Sequence, residues 1–139
     1  MHWVVYAFLA ALAAGATAIL AKIGIKDVPS NLATAIRTIV IVVFAWGLVF
    51  ARGEAHGLRA LSQRTWIFLA LSGLATGLSW LAYYKALQLA PASQVAPIDK
   101  LSLPITVVLA WWVLGEPISW RLGVGAALMV VGALITLKP

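Results

Sequence analysis

Two oppositely charged side chains, Asp99 and Lys100, stand next to each other between two prolines in the stretch APIDKLSLP. A carboxylate beside an ammonium group can bind a charged ligand or form an internal ion pair. The surrounding segment is apolar enough to cross a membrane, where each charge costs roughly 2.5–3.5 kcal/mol at the bilayer centre. Pro97 and Pro104 each remove an N–H donor and release a carbonyl four residues earlier, which for Pro104 is that of Lys100. We therefore expect this stretch to bend and to line a polar cavity.

The sequence lacks the residues that several other kinds of protein chemistry require. The chain has no cysteine, so disulfides and thiolate chemistry are excluded. Its two histidines, His2 and His56, and its four carboxylates show no metal-ligand spacing. No serine lies in the turn that exposes a hydrolase nucleophile. We therefore expect no catalytic residue, no metal and no cofactor, and we disfavour an enzyme, including a membrane enzyme that acts on lipid.

The composition is that of an integral membrane protein. Of 139 residues, 63% are hydrophobic and 10% are charged, whereas soluble domains are about half apolar and roughly a quarter charged. The net charge of +6 would suggest nucleic acid as a partner of a soluble protein. Here the basic residues lie between and inside apolar segments, so membrane topology explains them better and we expect no nucleic-acid partner.

Five apolar segments are long enough to span a bilayer as helices, which need about 20 residues each. In chain order they cover residues 3–25, 32–51, 66–89, 93–114 and 118–137. These continuous blocks lack the alternating pattern of a transmembrane barrel. We expect Ser30 or Asn31 to cap segment 2, and Glu116 to complement the dipole of segment 5 and cap it. The sequence therefore predicts an all-α membrane protein of five transmembrane helices in a single domain, residues 1–139.

Short connections make successive segments antiparallel, so the segment ends divide between two faces of the membrane. The face that holds the N-terminus, called face A, also holds the long loop between segments 2 and 3. The basic residues assigned to face A are Arg52, Arg59, Arg64 and Arg121. Those assigned to the opposite face B, including segment ends, are Lys22, Lys26, Arg37, Lys85, Lys100 and Lys138, the last of which lies outside the residues that the structure describes. The difference in positive charge between the faces is weak, which permits insertion in both orientations.

Charged side chains concentrate near face B. Counted along the helix axis, Arg37, Asp99 and Lys100 lie roughly 8–11 Å inside their segments. Asp99 is the one acid of this layer, and we expect it to pair with Arg37, because neighbours such as Lys100 diverge by about 100° on a helix. Such a pair could be a purely structural tie. Lys22 and Lys85, which lie close to segment ends, could instead extend to the lipid headgroups.

An aromatic group occupies segment 3, where Trp80 and Tyr84 share a helix face at positions i and i+4 and Tyr83 lies beside them. It fits either a wall of a binding cavity or simple packing at the membrane boundary. The segment also carries Gly73 and Gly77, a spacing that lets two helices approach closely. The candidate substrate-binding residues are Asp99, Lys100, Arg37, Lys85, Trp80 and Tyr84.

Four stretches of the chain form a recognisable pattern: AKIGIKDVPSNLATAIRT, ARGE, LSWLAYYKALQLAPASQVAPIDKLS and LGEPISWRLGVGAALMVVGALI. With them, the chain resembles an EamA-type domain of the drug/metabolite transporter superfamily. The resemblance extends over essentially the whole chain and is to the single-domain bacterial and archaeal branch. Many members join two such five-helix domains in inverted topology. The resemblance therefore implies half of a ten-helix inverted-repeat transporter in a prokaryotic cell membrane.

The resemblance implies a secondary transporter of small metabolites that works by alternating access as a homodimer. An antiparallel homodimer would reproduce the inverted repeat, while a parallel homodimer stays open. The small multidrug resistance branch uses an acid in its first helix, where this chain has only Lys22. Basic residues around the single acid Asp99 favour anionic or zwitterionic solutes over cationic drugs. The alternative function is a structural or accessory membrane protein without transport activity of its own.

Overall fold

The computed structural model describes residues 2–137, and within this range every regular element is a helix. Six α-helices and one short 3-10 helix follow one another in this part of the chain. They are α1 (His2–Gly24), α2 (Ser30–Ala51), the 3-10 helix (Glu54–Ala60), α3 (Gln63–Leu89), α4 (Ala92–Asp99), α5 (Ser102–Leu114) and α6 (Trp120–Ile135). The predicted all-α class is therefore confirmed.

Four stretches of helix in the described chain are long and apolar enough to cross a membrane. They are α1, α2, α3 and the combined stretch of α4 and α5, and each has 22 to 27 residues. The last helix, α6, is apolar but has only 16 residues, fewer than the about 20 of a typical span. Length and composition thus identify a multi-pass membrane protein, and the fifth predicted span corresponds to this shorter helix.

Large apolar side chains are exposed along the helices. Trp3, Val43 and Trp120 expose 74%, 67% and 85% of their surface. Lipid tails solvate such surfaces, whereas water would drive them together. Within residues 2–137 few side chains are enclosed, and Leu87 and Tyr84, near the end of α3, are among them. This burial pattern is typical of helices that are immersed in lipid.

The helix predicted over residues 93–114 is interrupted, as the two prolines led us to expect. The helices α4 and α5 are separated by Lys100 and Leu101, which both keep helical backbone angles. The carbonyl of Lys100, which we predicted to be released by Pro104, accepts a hydrogen bond from the Leu103 N–H at 3.0 Å. That prediction was wrong, because a local three-residue spacing supplies the carbonyl with a new donor.

The residues that cap α2 and α6 differ from those predicted. Ser30 is the first residue of α2, Pro29 occupies the cap position, and no side chain makes a capping hydrogen bond there. At the start of α6 the cap is Ser119, whose hydroxyl accepts a hydrogen bond from the Leu122 N–H at 3.2 Å. This is the usual geometry of a serine N-cap. The predicted capping role of Glu116 was therefore wrong.

The chain divides into two compact units, one with the described residues up to Ile19 and from Leu89 onwards, the other comprising Leu20–Gln88. In the first unit, α6 packs against α4 and α5. In the second unit, Gly73 and Gly77 lie on α3. A Cβ atom added at either glycine would meet no side chain and no other element of the described chain within 4 Å. This small-residue face is therefore open.

Two side chains connect the turn between α1 and α2 to the end of α3, and both connections lie within the second unit. Lys22 Nζ donates a hydrogen bond to the carbonyl of Leu87, and Gln88 Nε2 donates one to the carbonyl of Val28 at 2.6 Å. The last carbonyls of a helix have no partner within it, so an ammonium group there is stabilising. Lys22 thus contacts a helix end, and the predicted extension of its side chain to the headgroups is not seen.

We expect Lys22→Met to lower the thermal unfolding midpoint by about 4–9 °C, because a hydrogen bond from a charged group is worth about 1.5–3 kcal/mol and each 1 kcal/mol shifts the midpoint by about 3 °C. The midpoint is measured in detergent by intrinsic fluorescence. The matched control is Lys26→Met, since Lys26 lies in the turn directly after α1 and its side chain is exposed. Equal midpoints for the two variants would show that the hydrogen bond of Lys22 contributes nothing.

Candidate substrate-binding site

Arg37, in the second turn of α2, lies over the indole ring of Trp80 in α3. Its Cζ atom is 3.3 Å from the ring centroid, well inside the range of a cation–π interaction. Both side chains are half-buried. The sequence led us to expect an ion pair between Arg37 and Asp99. The structure instead places the guanidinium on an aromatic face, and among residues 2–137 it has neither an ion pair nor a side-chain hydrogen bond.

The aromatic group predicted in segment 3 forms a cluster around Trp80. Its ring centroid lies 5.7 Å from that of Tyr84 and 5.4 Å from that of Tyr83, both with edge-to-face geometry. Such pairs contribute about 0.5–1.5 kcal/mol beyond area burial. Tyr84 is only 4% exposed, so it supports the ring of Trp80 from the protein side. We call Arg37, Trp80, Tyr83 and Tyr84 the Arg37 cluster.

Lys85, another predicted site residue, follows Tyr84 directly on α3. Consecutive residues point about 100° apart on a helix, and the Lys85 side chain is exposed whereas that of Tyr84 is buried. The structure therefore does not bring Lys85 into the Arg37 cluster. Its exposed position near a helix end also fits the alternative prediction of a side chain that extends to the headgroups.

Asp99 and Lys100, which lie in the first unit, form an ion pair. Lys100 Nζ is 3.1 Å from Asp99 Oδ2, and the side chains are 54% and 32% exposed, respectively. We expected neighbouring residues to diverge too far for such a contact. That expectation was wrong, because Asp99 ends α4 and Lys100 belongs to the turn before α5, where the flexible lysine stem can fold back to the carboxylate.

A recess of about 380 Å³ lies beside the interruption between α4 and α5. Its lining residues are Leu101, Pro104, Ile105, Val108, Leu109 and Val130. All six are apolar, and neither Asp99 nor Lys100 is among them. The recess therefore differs from the polar cavity that we predicted for APIDKLSLP, and its surface is suited to lipid tails or an apolar ligand group.

A second recess, of about 780 Å³, was not predicted from the sequence. It surrounds the turn between α1 and α2 and the end of α3. Its lining residues are Lys22, Ile23, Ile25, Lys26, Asp27, Val28, Pro29, Leu87 and Gln88. The positive φ of Asp27, 65°, turns the chain here. The signal in the sequence was the turn VPSN, which marks a connection but does not reveal that it folds over the end of another helix.

In the described part of the chain, no three His, Cys, Asp or Glu side chains lie close enough together to hold a metal ion. The features that remain are apolar helices, an arginine held on an aromatic face and an ion pair at a helix interruption. They define a helical membrane protein that carries several charged side chains within its candidate spans. Such charges are costly in a bilayer and normally pair or face a cavity.

The chain belongs to the EamA-like transporter family, whose family model matches residues 1–138. The family bears a transporter name, as does the Sinorhizobium relative described next, and both support a membrane transporter. The predicted family resemblance is thereby confirmed.

Three relatives illustrate the range of the family. An uncharacterized transporter in the cobO 3' region of a Sinorhizobium species is 44% identical over 133 residues, which cover 96% of this chain and 94% of the relative. The probable 4-amino-4-deoxy-L-arabinose-phosphoundecaprenol flippase subunit ArnE of Enterobacter sp. (strain 638) is 34% identical over 69% of this chain and 92% of its own length. The riboflavin transporter of Vibrio cholerae is 40% identical over 53% of this chain and 25% of its own length. No solved structure matches the chain significantly.

Proposed function

We propose that the chain is one half of a ten-helix secondary transporter, formed by two copies of this protein in a prokaryotic cell membrane. Each copy contributes one domain of five transmembrane helices, with α6 as the fifth. Family membership supports this proposal, as does the Sinorhizobium relative, whose length this chain nearly matches. Two antiparallel copies would restore an inverted repeat, and rocking of one copy against the other would alternate access.

One observation supports the substrate class. The guanidinium of Arg37 lies within a candidate membrane span, with its Cζ atom 3.3 Å from the ring centroid of Trp80. Arginine stays charged at all physiological pH values. A small anionic or zwitterionic metabolite would neutralise this charge and offset the cost of placing it in the membrane. In the same unit as Arg37 and Trp80 we also propose Tyr84 and Lys85 as substrate-binding residues, and in the other unit, separately, Asp99 and Lys100.

Uptake into proteoliposomes tests this function. We expect labelled organic anions and zwitterions to accumulate above the level of empty liposomes, and labelled organic cations not to do so. Asp99→Asn and Lys100→Met should each lower the uptake rate by about tenfold, because each leaves the other member of the 3.1 Å ion pair without its counter-charge. The readout is the initial rate per reconstituted protein.

Glu54→Gln is the matched control for these variants. Glu54 also belongs to an ion pair, with Arg52 at 4.0 Å, but both side chains are largely exposed, near the 3-10 helix, and such pairs contribute little. Its uptake should stay at the level of the unchanged protein. Normal uptake by both Asp99→Asn and Lys100→Met would remove these residues from the site.

A second candidate function is that of a subunit that works beside a different protein. It is favoured by the relative that is named as a flippase subunit and that this chain matches over 92% of that protein's length. This candidate predicts no uptake by the purified chain alone. It also predicts that Asp99→Asn disturbs the oligomeric state, which light scattering coupled to size-exclusion chromatography measures, and not only the rate.

A further inference from the structure

The orientation of the Arg37 guanidinium follows from its distance to Trp80. Carbon atoms in van der Waals contact lie about 3.5–4.0 Å apart, and the Cζ of Arg37 is 3.3 Å from the ring centroid. A guanidinium that stood edge-on to the ring would drive its nitrogens into the indole at this distance. The two planar groups must therefore lie face to face. The N–H groups of Arg37 then point outward, in a plane parallel to the ring.

These outward-pointing donors are not used by the described chain. Within residues 2–137 the guanidinium has no side-chain hydrogen bond and no ion pair, although it lies in a spanning helix. Stacking on Trp80 compensates part of the charge but satisfies none of the N–H groups. A charged group at membrane depth normally has a partner or faces a ligand path. The parallel N–H groups along the edge of the guanidinium, called the fork below, are therefore available to a ligand.

We propose that Arg37 and Trp80 form a subsite for a carboxylate, in which Arg37 binds both oxygens and Trp80 is a positioning residue. The inference rests on the proposed transport function and names its substrate class: solutes that carry a carboxylate. The ring covers one side of the guanidinium plane, so a bidentate partner approaches within that plane. A carboxylate is planar and places both oxygens there. A phosphate can also bind a guanidinium with two oxygens, but its tetrahedral head then sets a further oxygen out of the plane, on the side that Trp80 occupies.

Equilibrium dialysis of labelled benzoate against the full chain in lipid nanodiscs tests the subsite, with empty nanodiscs as the background. Benzoate should bind at millimolar or lower concentration. Phenylphosphonate, of the same ring but with a tetrahedral head, should compete at least about tenfold more weakly, a difference of about 1.4 kcal/mol. Benzylammonium should not compete. No binding of benzoate above background, or equal competition by phenylphosphonate, overturns the proposal.

Variants separate recognition by the fork from simple attraction by charge. Arg37→Lys keeps the charge but loses the fork, and it should weaken benzoate binding by about tenfold. Trp80→Phe keeps an aromatic face and should retain the preference for benzoate over phenylphosphonate. Trp80→Leu should lose the preference for benzoate over phenylphosphonate, which a merely structural role of the ring would leave intact. Equal preferences in Trp80→Leu and the unchanged protein contradict the positioning role.

The outcome is distinguishable from failure of the proposed function. Uptake of anions without benzoate binding would reject the carboxylate subsite and leave the transporter. Benzoate binding without uptake of any solute would retain the subsite and reject transport by the chain alone.

Discussion

We expect Arg37→Gln to reduce uptake of anionic solutes by about a hundredfold and to leave the protein folded and inserted. The amide of glutamine lacks the charge and the fork of the guanidinium, and hydrogen bonds to a charged group contribute up to about 3 kcal/mol. Stacking on Trp80 at 3.3 Å would weaken as well, because the cation–π attraction requires the positive charge. The initial rate of uptake into proteoliposomes is the measurement, with monodispersity in detergent as the test of folding.

Arg64→Gln is the matched control, because Arg64 also lies near an aromatic ring. Its Cζ atom is 5.8 Å from the ring centroid of Phe68, at the start of α3, and its side chain is exposed. An exposed contact at this distance is worth at most about 1 kcal/mol, and uptake should stay within about twofold of the unchanged protein. If both variants lose uptake equally, positive charge in general, and not the Arg37 cluster, sustains transport.

We expect single-cysteine variants at Ala55 and Leu137 each to be labelled by a membrane-impermeant thiol reagent in about half of their copies in intact cells. The two positions follow α2 and α6, respectively, and the chain has no native cysteine to interfere. A weak difference in positive charge between the two faces permits both orientations. Partial labelling of both sites is the result that an antiparallel homodimer requires.

The control for this experiment adds positive charge to one loop. Arginine at Gly57 and Leu58, beside the cysteine at Ala55, should drive that loop to the cytoplasm in nearly all copies, so that its labelling disappears. Labelling of Leu137→Cys alone in the variant without these arginines would mean one fixed orientation. The homodimer would then be parallel, or a different protein would complete the transporter.

The helical architecture is visible in the sequence because the bilayer leaves few alternatives. An apolar block of about 20 residues must satisfy its own backbone hydrogen bonds, and only a helix does so within one segment. The first two predicted spans, residues 3–25 and 32–51, therefore lie within two residues of α1 and α2. The interruption near Pro104 was also predictable, because proline lacks the N–H that a continuous helix requires.

The partners of the polar side chains were not predictable in the same way. Depth along a helix follows from counting residues, but the direction of a long side chain depends on rotamers and on neighbouring helices. Counting residues along the segments predicted the same depth for Arg37 and Asp99, yet the Arg37 guanidinium lies on the ring of Trp80. The rule that neighbours diverge assumed a continuous helix, and it failed where α4 ends between Asp99 and Lys100. Backbone carbonyls, such as the one that Lys22 contacts, leave no mark in the residue pattern.

At the open face of α3 that Gly73 and Gly77 form, the stability of a single copy and close packing against another helix favour different residues. Among residues 2–137, the Cβ of an alanine at Gly73 or Gly77 would meet no neighbouring side chain within 4 Å, and alanine favours a helix by about 1 kcal/mol over glycine. A single copy would therefore gain stability from either substitution. Two copies that brought this face against another helix would lose close approach. For an assembly that used this face, screening variants by the thermal stability of one copy alone would therefore select against the contact between copies.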